Sequence, residues 1–116
     1  QFKAQAEIIE NSLLDAAKKN DVELTVNRYG SMINPFFTSE RVVDFKSAQT
    51  SDTEKFKVFF WNMIENGVYI PPSQFESWFL SAELSEKDLK TIEKAIRNSI
   101  KAVSEIKTTE IKEAKL

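Results

Sequence analysis

Residues 51–79 read SDTEKFKVFFWNMIENGVYIPPSQFESWF, and this stretch decides the fold because it joins a bounded helix to an extended run and then to one carboxylate among aromatics. Ser51 followed three residues later by Glu54 has the form of a capping box, in which each side chain satisfies an orphan backbone N–H of the other, so a helix is predicted from Asp52. Phe56, Phe59, Phe60, Met63 and Ile64 then recur at the spacing that lines one face of a 3.6-residue period, with Val58 and Trp61 widening the stripe. Asn66-Gly67 is the stop, since glycine takes the left-handed conformation of a helix C-terminus without a Cβ clash. Val68, Tyr69 and Ile70 predict a short strand, and Pro71-Pro72 forces the chain to bend away after it. Phe75, Ser77 and Phe79 alternate with Glu76, Trp78 and Leu80, so a strand here would put Glu76 on one face with Trp78 and Leu80.

Upstream, Phe2, Ala6, Ile9, Leu13 and Ala16 form the apolar face of a helix over residues 2–19, ended by Asn20-Asp21. Nothing before Phe2 supplies a cap and no methionine opens the chain, from which we expect a piece of a longer polypeptide. Val22, Leu24 and Val26 alternate with Glu23, Thr25 and Asn27, the period of a strand. A turn at Arg28–Ser31 around Gly30 and a return strand from Met32 complete an antiparallel hairpin. Pro35 cannot donate to a ladder, which predicts an edge or bulge position for that second strand. Residues 38–50 lack periodicity, although Val42, Val43 and Phe45 could add a short strand or pack a loop, and a connection that long is expected to contact something. Downstream, Ser85 and Asp88 stand in capping positions for a last helix reaching about Ile106, with Leu89, Ile92, Ile96, Ile100 and Val103 as its stripe. The expected architecture is α+β in two layers, a small, mostly antiparallel sheet covered on one face by about three helices. A single domain over residues 1–106 would be followed by a polar, frayed tail over residues 107–116.

Composition narrows the function classes. A chain of 116 residues buries about two-thirds of its unfolded surface, enough for one modest core. No run of apolar residues is long enough to span a bilayer and no signal peptide opens the chain, so no membrane is expected as a partner and a cytoplasmic location is. A net charge of −2 without a basic cluster argues against nucleic acid. With no histidine and no cysteine, the commonest general base, metal ligand and thiolate nucleophile are all missing, so we expect no metal site and no self-contained enzyme.

SDTEKF, the aromatic helix and NGVYIPPSQFE, together with LTVNRYGSM, FFTSERVVDF and SEKDLKTIEKA, resemble the C-terminal segment of the glutamate-1-semialdehyde 2,1-aminomutase family, class III pyridoxal-phosphate aminotransferases. The likeness runs from about Leu14 to Ala102. It departs where the family has histidines, at Trp61 or Asn62 and at Glu83 or Leu84. The resemblance implies the small C-terminal domain of a fold-type I enzyme whose missing large domain holds pyridoxal 5'-phosphate and the lysine that binds it, and which works as a homodimer with a second subunit. It implies no catalytic and no cofactor-binding residue within this chain, and no coenzyme bound to it alone. Residues 38–50 would face the rest of the enzyme.

Two residues are candidates for proximity to substrate. Flanked by Phe75 and Trp78, Glu76 could have its pKa raised by desolvation or could stay ionised and orient an amine or a cationic cofactor group, the ordinary reading being a solvated glutamate on a sheet edge; it matches the glutamate of the family's SQFE motif, which the resemblance places toward the substrate as a positioning group. Ser31 matches the NRxGSM stretch, where the ordinary reading is turn chemistry. Lys55, Lys57, Lys87, Lys90 and Lys94 read as solvated helix faces. At 11% the aromatic content exceeds what one small core readily hides, so several rings are expected on an interface with the large domain or second subunit. The alternatives are a stand-alone, non-catalytic α+β protein-interaction module and, less well supported because no nucleophile–base pair is present, a small hydrolase.

Overall fold

The first apolar stripe becomes helix α1, Phe2–Lys19, with Ala6, Ile9, Leu13 and Ala16 buried as its spacing required. The computed structural model describes residues 2–49, 51–79 and 84–114; Leu80, Glu83 and the end of the tail at residues 115–116 lie outside them. Helix α1 closes with Asp21 at φ 54°, the Asp21 N–H donating to the Lys18 carbonyl and the Val22 N–H to the Ala17 carbonyl. This is the paired bonding of a Schellman cap, and aspartate is among the few non-glycine residues that tolerate the left-handed region.

Strands β1, Thr25–Tyr29, and β2, Met32–Phe36, pair antiparallel and are closed by Gly30 and Ser31. The turn is therefore shorter than the four residues predicted, because Arg28 and Tyr29 belong to β1. Gly30 sits at φ 61° while Ser31 stays out of the positive region, the pattern of a type II′ hairpin, whose twist matches that of the strands.

Strand β3 is only Trp78–Phe79, and it pairs with β2, giving the order β1-β2-β3. Pro35 thus lies in the middle strand, correcting the edge or bulge position expected for it. Register explains the exception. Bonded and non-bonded pairs alternate from the Tyr29↔Met32 closure, so the nitrogen of Pro35, opposite Val26, turns away from β1. On that side β3 reaches only Met32 and Ile33, and no ladder donor is needed.

Helix α3, Thr53–Glu65, follows a one-turn helix α2, Phe45–Ala48, which replaces the strand or loop expected there. The N-cap of α3 is Asp52, whose carboxylate accepts from the Lys55 N–H at 3.0 Å; the Ser51–Glu54 box is not formed, and Ser51 is buried. Gly67, at φ 83°, ends α3 in a second Schellman cap through Gly67 N–H to Ile64 O and Val68 N–H to Met63 O. Val68–Ile70 pairs with no strand among the described residues, correcting the short strand predicted. It is extended backbone with Val68 and Ile70 half-buried on the core and Tyr69 outside.

Helix α4 spans Glu86–Ala114 and opens with the expected capping box, Ser85 Oγ accepting from Asp88 N–H and Asp88 Oδ2 from Ser85 N–H. It continues past Ile106, where the apolar stripe had placed its end. Ile96, Ile100 and Val103 are buried, and α4 packs against both α1 and α3. The core lies between these helices and one face of the sheet, where Ile33 and Trp78 meet Phe59, Met63, Ile9 and Leu13. Phe59 is its centre: its ring stacks on Trp78 at 6.2 Å and 9° and meets Phe37 edge-on at 5.4 Å. Across the layers, the Arg28 guanidinium on β1 donates to Glu10 on α1 at 2.9 Å.

Candidate functional site

The face of the sheet turned away from α1, α3 and α4 carries an open groove of about 430 Å³. Alternation puts Asn27 and Tyr29 of β1 beside Asn34 and Met32 of β2 on that face, with Ser77 and Phe75 continuing it past β3. Residues 38–48 fold over its far end, where Phe36, Val42 and Ala48 form a small second core.

Polar side chains of β1 hold that segment. The Thr25 hydroxyl is 3.0 Å from the carbonyl oxygens of both Thr38 and Glu40, and Asn27 Nδ2 donates to Val42 O at 2.9 Å. Asp44 opens α2: its carboxylate accepts from the Ser47 N–H at 2.8 Å and from the Ser47 hydroxyl at 2.9 Å. Those two bonds, the backbone one foremost, hold the Asp44 carboxyl below its ordinary value of 3.8, outweighing a slight opposing effect of burial. A depressed folded-state value means the cap contributes above the ordinary value and is lost as pH falls through the lowered one. The Ser47 amide resonance should accordingly hold its position from neutral pH down to about pH 4 and move only below it. Movement beginning well above that pH would show the cap to be absent in solution.

Asn34 fixes the segment carrying Glu76. Its Nδ2 donates to Gln74 O at 3.1 Å and Glu76 O at 3.3 Å, and its Oδ1 accepts from the Ser77 hydroxyl. Where the β2–β3 ladder stops, this side-chain amide takes over the work of backbone pairing. Glu76 therefore sits in a turn, its N–H donating to Ser73 O at 3.1 Å, and not in a strand. Its carboxylate is exposed whereas Trp78 is buried, so the two do not share a face; the third member of that expected face, Leu80, is outside the described residues.

Ser31 is half-buried at the hairpin turn. Neither Ser31 nor Glu76 lines the groove, but their chain neighbours Met32, Phe75 and Ser77 do, so the two candidates border one surface from opposite ends. Sequence reasoning missed Asn27, Asn34 and Asp44. The Asn-Asn pairing across the register was the available signal, since two amides facing each other on a hairpin are placed to bind backbone groups of a third segment. Among the described residues no group of three or more acidic, histidine or cysteine side chains is placed to hold a metal.

These residues do not fit pyridoxal phosphate. The groove's lining includes the Asp44 carboxylate and no lysine or arginine, so it offers a phosphate repulsion and a carbonyl no amine.

No family model matches the chain. A glutamate-1-semialdehyde 2,1-aminomutase from Thermodesulfovibrio yellowstonii (strain ATCC 51303 / DSM 11347 / YP87) is 48% identical over 90 residues, covering 77% of this chain and 21% of that protein. One from Sulfurihydrogenibium sp. (strain YO3AOP1) is 45% identical over 96 residues, covering 82% and 22%. The chain thus spans about a fifth of the length of the curated relatives it matches. In fold it is similar to a β-phenylalanine aminotransferase from Variovorax paradoxus, with a TM-score of 0.73 and 19% identity over 85% of this chain and 23% of that one. It is also similar to a transaminase solved with PLP bound, with a TM-score of 0.70 and 19% identity over 90% and 23%. An α+β segment with the aminomutase sequence, matched at a C-terminal part of its relatives, leads to one assignment: the chain belongs to the glutamate-1-semialdehyde 2,1-aminomutase family.

Proposed function

We propose that this chain forms one wall over the substrate in a longer aminomutase that moves the amino group of glutamate-1-semialdehyde from C2 to C1, giving 5-aminolevulinate for tetrapyrrole synthesis. The observation that carries the reading is 48% identity over 90 residues to a protein of that name. Pyridoxal phosphate, bound by polypeptide outside these residues, supplies the electron sink for the transfer. The chain's own residues supply geometry. Asn34 holds the Gln74–Ser77 turn, the turn presents Glu76, and the wall excludes water from the substrate's apolar carbons. Ser31, at the opposite border of the sheet face, offers a hydroxyl to the same substrate.

The uncovered face, with exposed Tyr29, Val43 and Phe75, is the side that meets the large domain, and the working unit is a homodimer in the cytoplasm.

The test is to express the whole reading frame that contains these residues and to follow 5-aminolevulinate formed from the semialdehyde in the presence of pyridoxal phosphate. Turnover by that product, with neither turnover nor stoichiometric coenzyme in residues 1–116 alone, is the expected result. Turnover by residues 1–116 alone would sink the reading.

A further inference from the structure

Strand β1 is an outer strand of the sheet, and its second edge meets no other strand among the described residues. Pairing with β2 uses the backbone groups of Thr25, Asn27 and Tyr29, so the N–H and carbonyl of Val26 and of Arg28 point outward from that edge. Among the described residues no other backbone group pairs with them. Sheets commonly blunt an open edge with lysine, proline or a bulge. The run TVNRY has no lysine or proline, its register with β2 is unbroken, and Arg28 is turned under α1 to Glu10 at 2.9 Å. The helical layer is open on the same side. Glu7, Glu10, Leu14 and Lys18 recur along α1 on the flank that meets Arg28, while α4 lies along the opposite flank beside Ser12 and Ala16. On the free flank Leu14 is 40% exposed.

An open strand edge with an apolar side chain above it fits one more antiparallel strand, and the chain itself supplies a matching one. We propose that two copies of this chain join through β1, with Val26 of one copy pairing with Arg28 of the other about a two-fold axis at Asn27. Each such pair exchanges both of its N–H···O bonds, every residue of Thr25–Tyr29 takes part, and the two sheets become one. A register centred on Arg28 would instead set two like charges opposite each other. The same axis turns the two α1 helices antiparallel, which brings their Leu14 side chains together and lays Glu7 and Glu10 of one copy along Lys18 of the other. Backbone, charge and apolar contact are thus all self-complementary, and this selects a second copy over an unrelated extended peptide, which would leave the charges of the α1 flank unmatched. The contact does not depend on which reaction the longer polypeptide catalyses.

The experiment puts one cysteine at a time into the whole reading-frame product, oxidises it and maps the disulfide-linked peptides by mass spectrometry. Residues 1–116 contain no cysteine, so a peptide holding position 27 linked to a second copy of itself has a single origin. Asn27→Cys should form that link, because residues facing each other at a non-hydrogen-bonded site stand about 4.5 Å apart. Thr25→Cys should not, because position 25 lies about 13 Å from its counterpart across the axis. Both exchanges remove a side-chain hold on residues 38–42, so they disturb the fold alike. Adding Val26→Pro should abolish the 27–27 link. Like Pro35 opposite it, residue 26 gives no N–H to the β1–β2 ladder, so proline removes only the outward donor. Circular dichroism checks that this variant is folded; if it is not, Lys18→Glu on the exposed flank takes its place and should lower the yield of the link several-fold at low salt. Absence of the 27–27 link, equal yields from positions 25 and 27, or a yield that the folded edge variant leaves unchanged would overturn the proposal. Turnover measured on the same preparations separates the two ideas: turnover without the link removes the β1 contact alone, and the link without turnover removes the aminomutase reading alone.

Discussion

Replacing Phe59 with alanine should destabilise the chain by about 4 kcal/mol. Phe59 is fully buried where α3, β3 and the β2–α2 connection meet, its ring contacting Trp78, Phe37 and Phe56. Removing it deletes a large apolar volume and three ring contacts, and aromatic pairs add roughly 0.5–1.5 kcal/mol each beyond buried area. The surroundings cannot collapse into the space, because Trp78 is held by the β2–β3 pairing and Phe37 is anchored by Gln74 and by the Asp52 N–H donating to its carbonyl. Total stabilities of small domains are about 5–15 kcal/mol, so this one truncation takes roughly a quarter to four-fifths of the total. Urea denaturation checks it: the midpoint should fall steeply with little change in slope, and Phe59→Leu should cost far less, about 1.5 kcal/mol or under. A Phe59→Ala loss below about 1 kcal/mol would mean that the stack does not hold the layers together.

The second large effect concerns activity. Glu76→Gln in the whole reading-frame product should lower kcat/KM by about 10- to 100-fold, the usual consequence of a substrate misplaced by a fraction of its own size. Because the Glu76 carboxylate is exposed and its backbone is held by Asn34, the same change should leave stability within about 0.5 kcal/mol. A positioning group acting on the bound substrate shows itself in kcat, while one that only gathers substrate shows itself in KM. Unchanged kcat and unchanged KM would remove Glu76 from the site.

The periodic parts of the fold were legible because their information is local. Helix α1 and the start of α4 followed from 3.6-residue stripes and caps, and the hairpin from alternation broken at Gly30. What escaped was set by partners distant in the chain. Segment 38–48 has no pattern of its own because Thr25 and Asn27 hold it, and the one-turn α2 is made by Asp44 and Ser47 closing on each other. Between Ser51 and Asp52 the cap shifted by one residue, since the Asp52 N–H is taken by Phe37 and its carboxylate faces Lys55 N. Strand β3 is short because Asn34 and Ser77 bond through side chains where two further rungs would have been. Composition gave the excess of aromatics, and only three dimensions showed that, among the residues whose side chains are described, Tyr29, Trp61, Tyr69 and Phe75 are the rings left outside. Glu76 and Ser31 came from likeness to a family; the groove they border came from pairing.

The reach of the Glu76 carboxylate is governed by an amide 42 positions earlier in the chain. Asn34 carries no charge, takes no proton and belongs to a different strand, so a survey of chemically active groups would pass it by. A change at that asparagine would free the Gln74–Ser77 turn and alter where the acid stands without altering what it is.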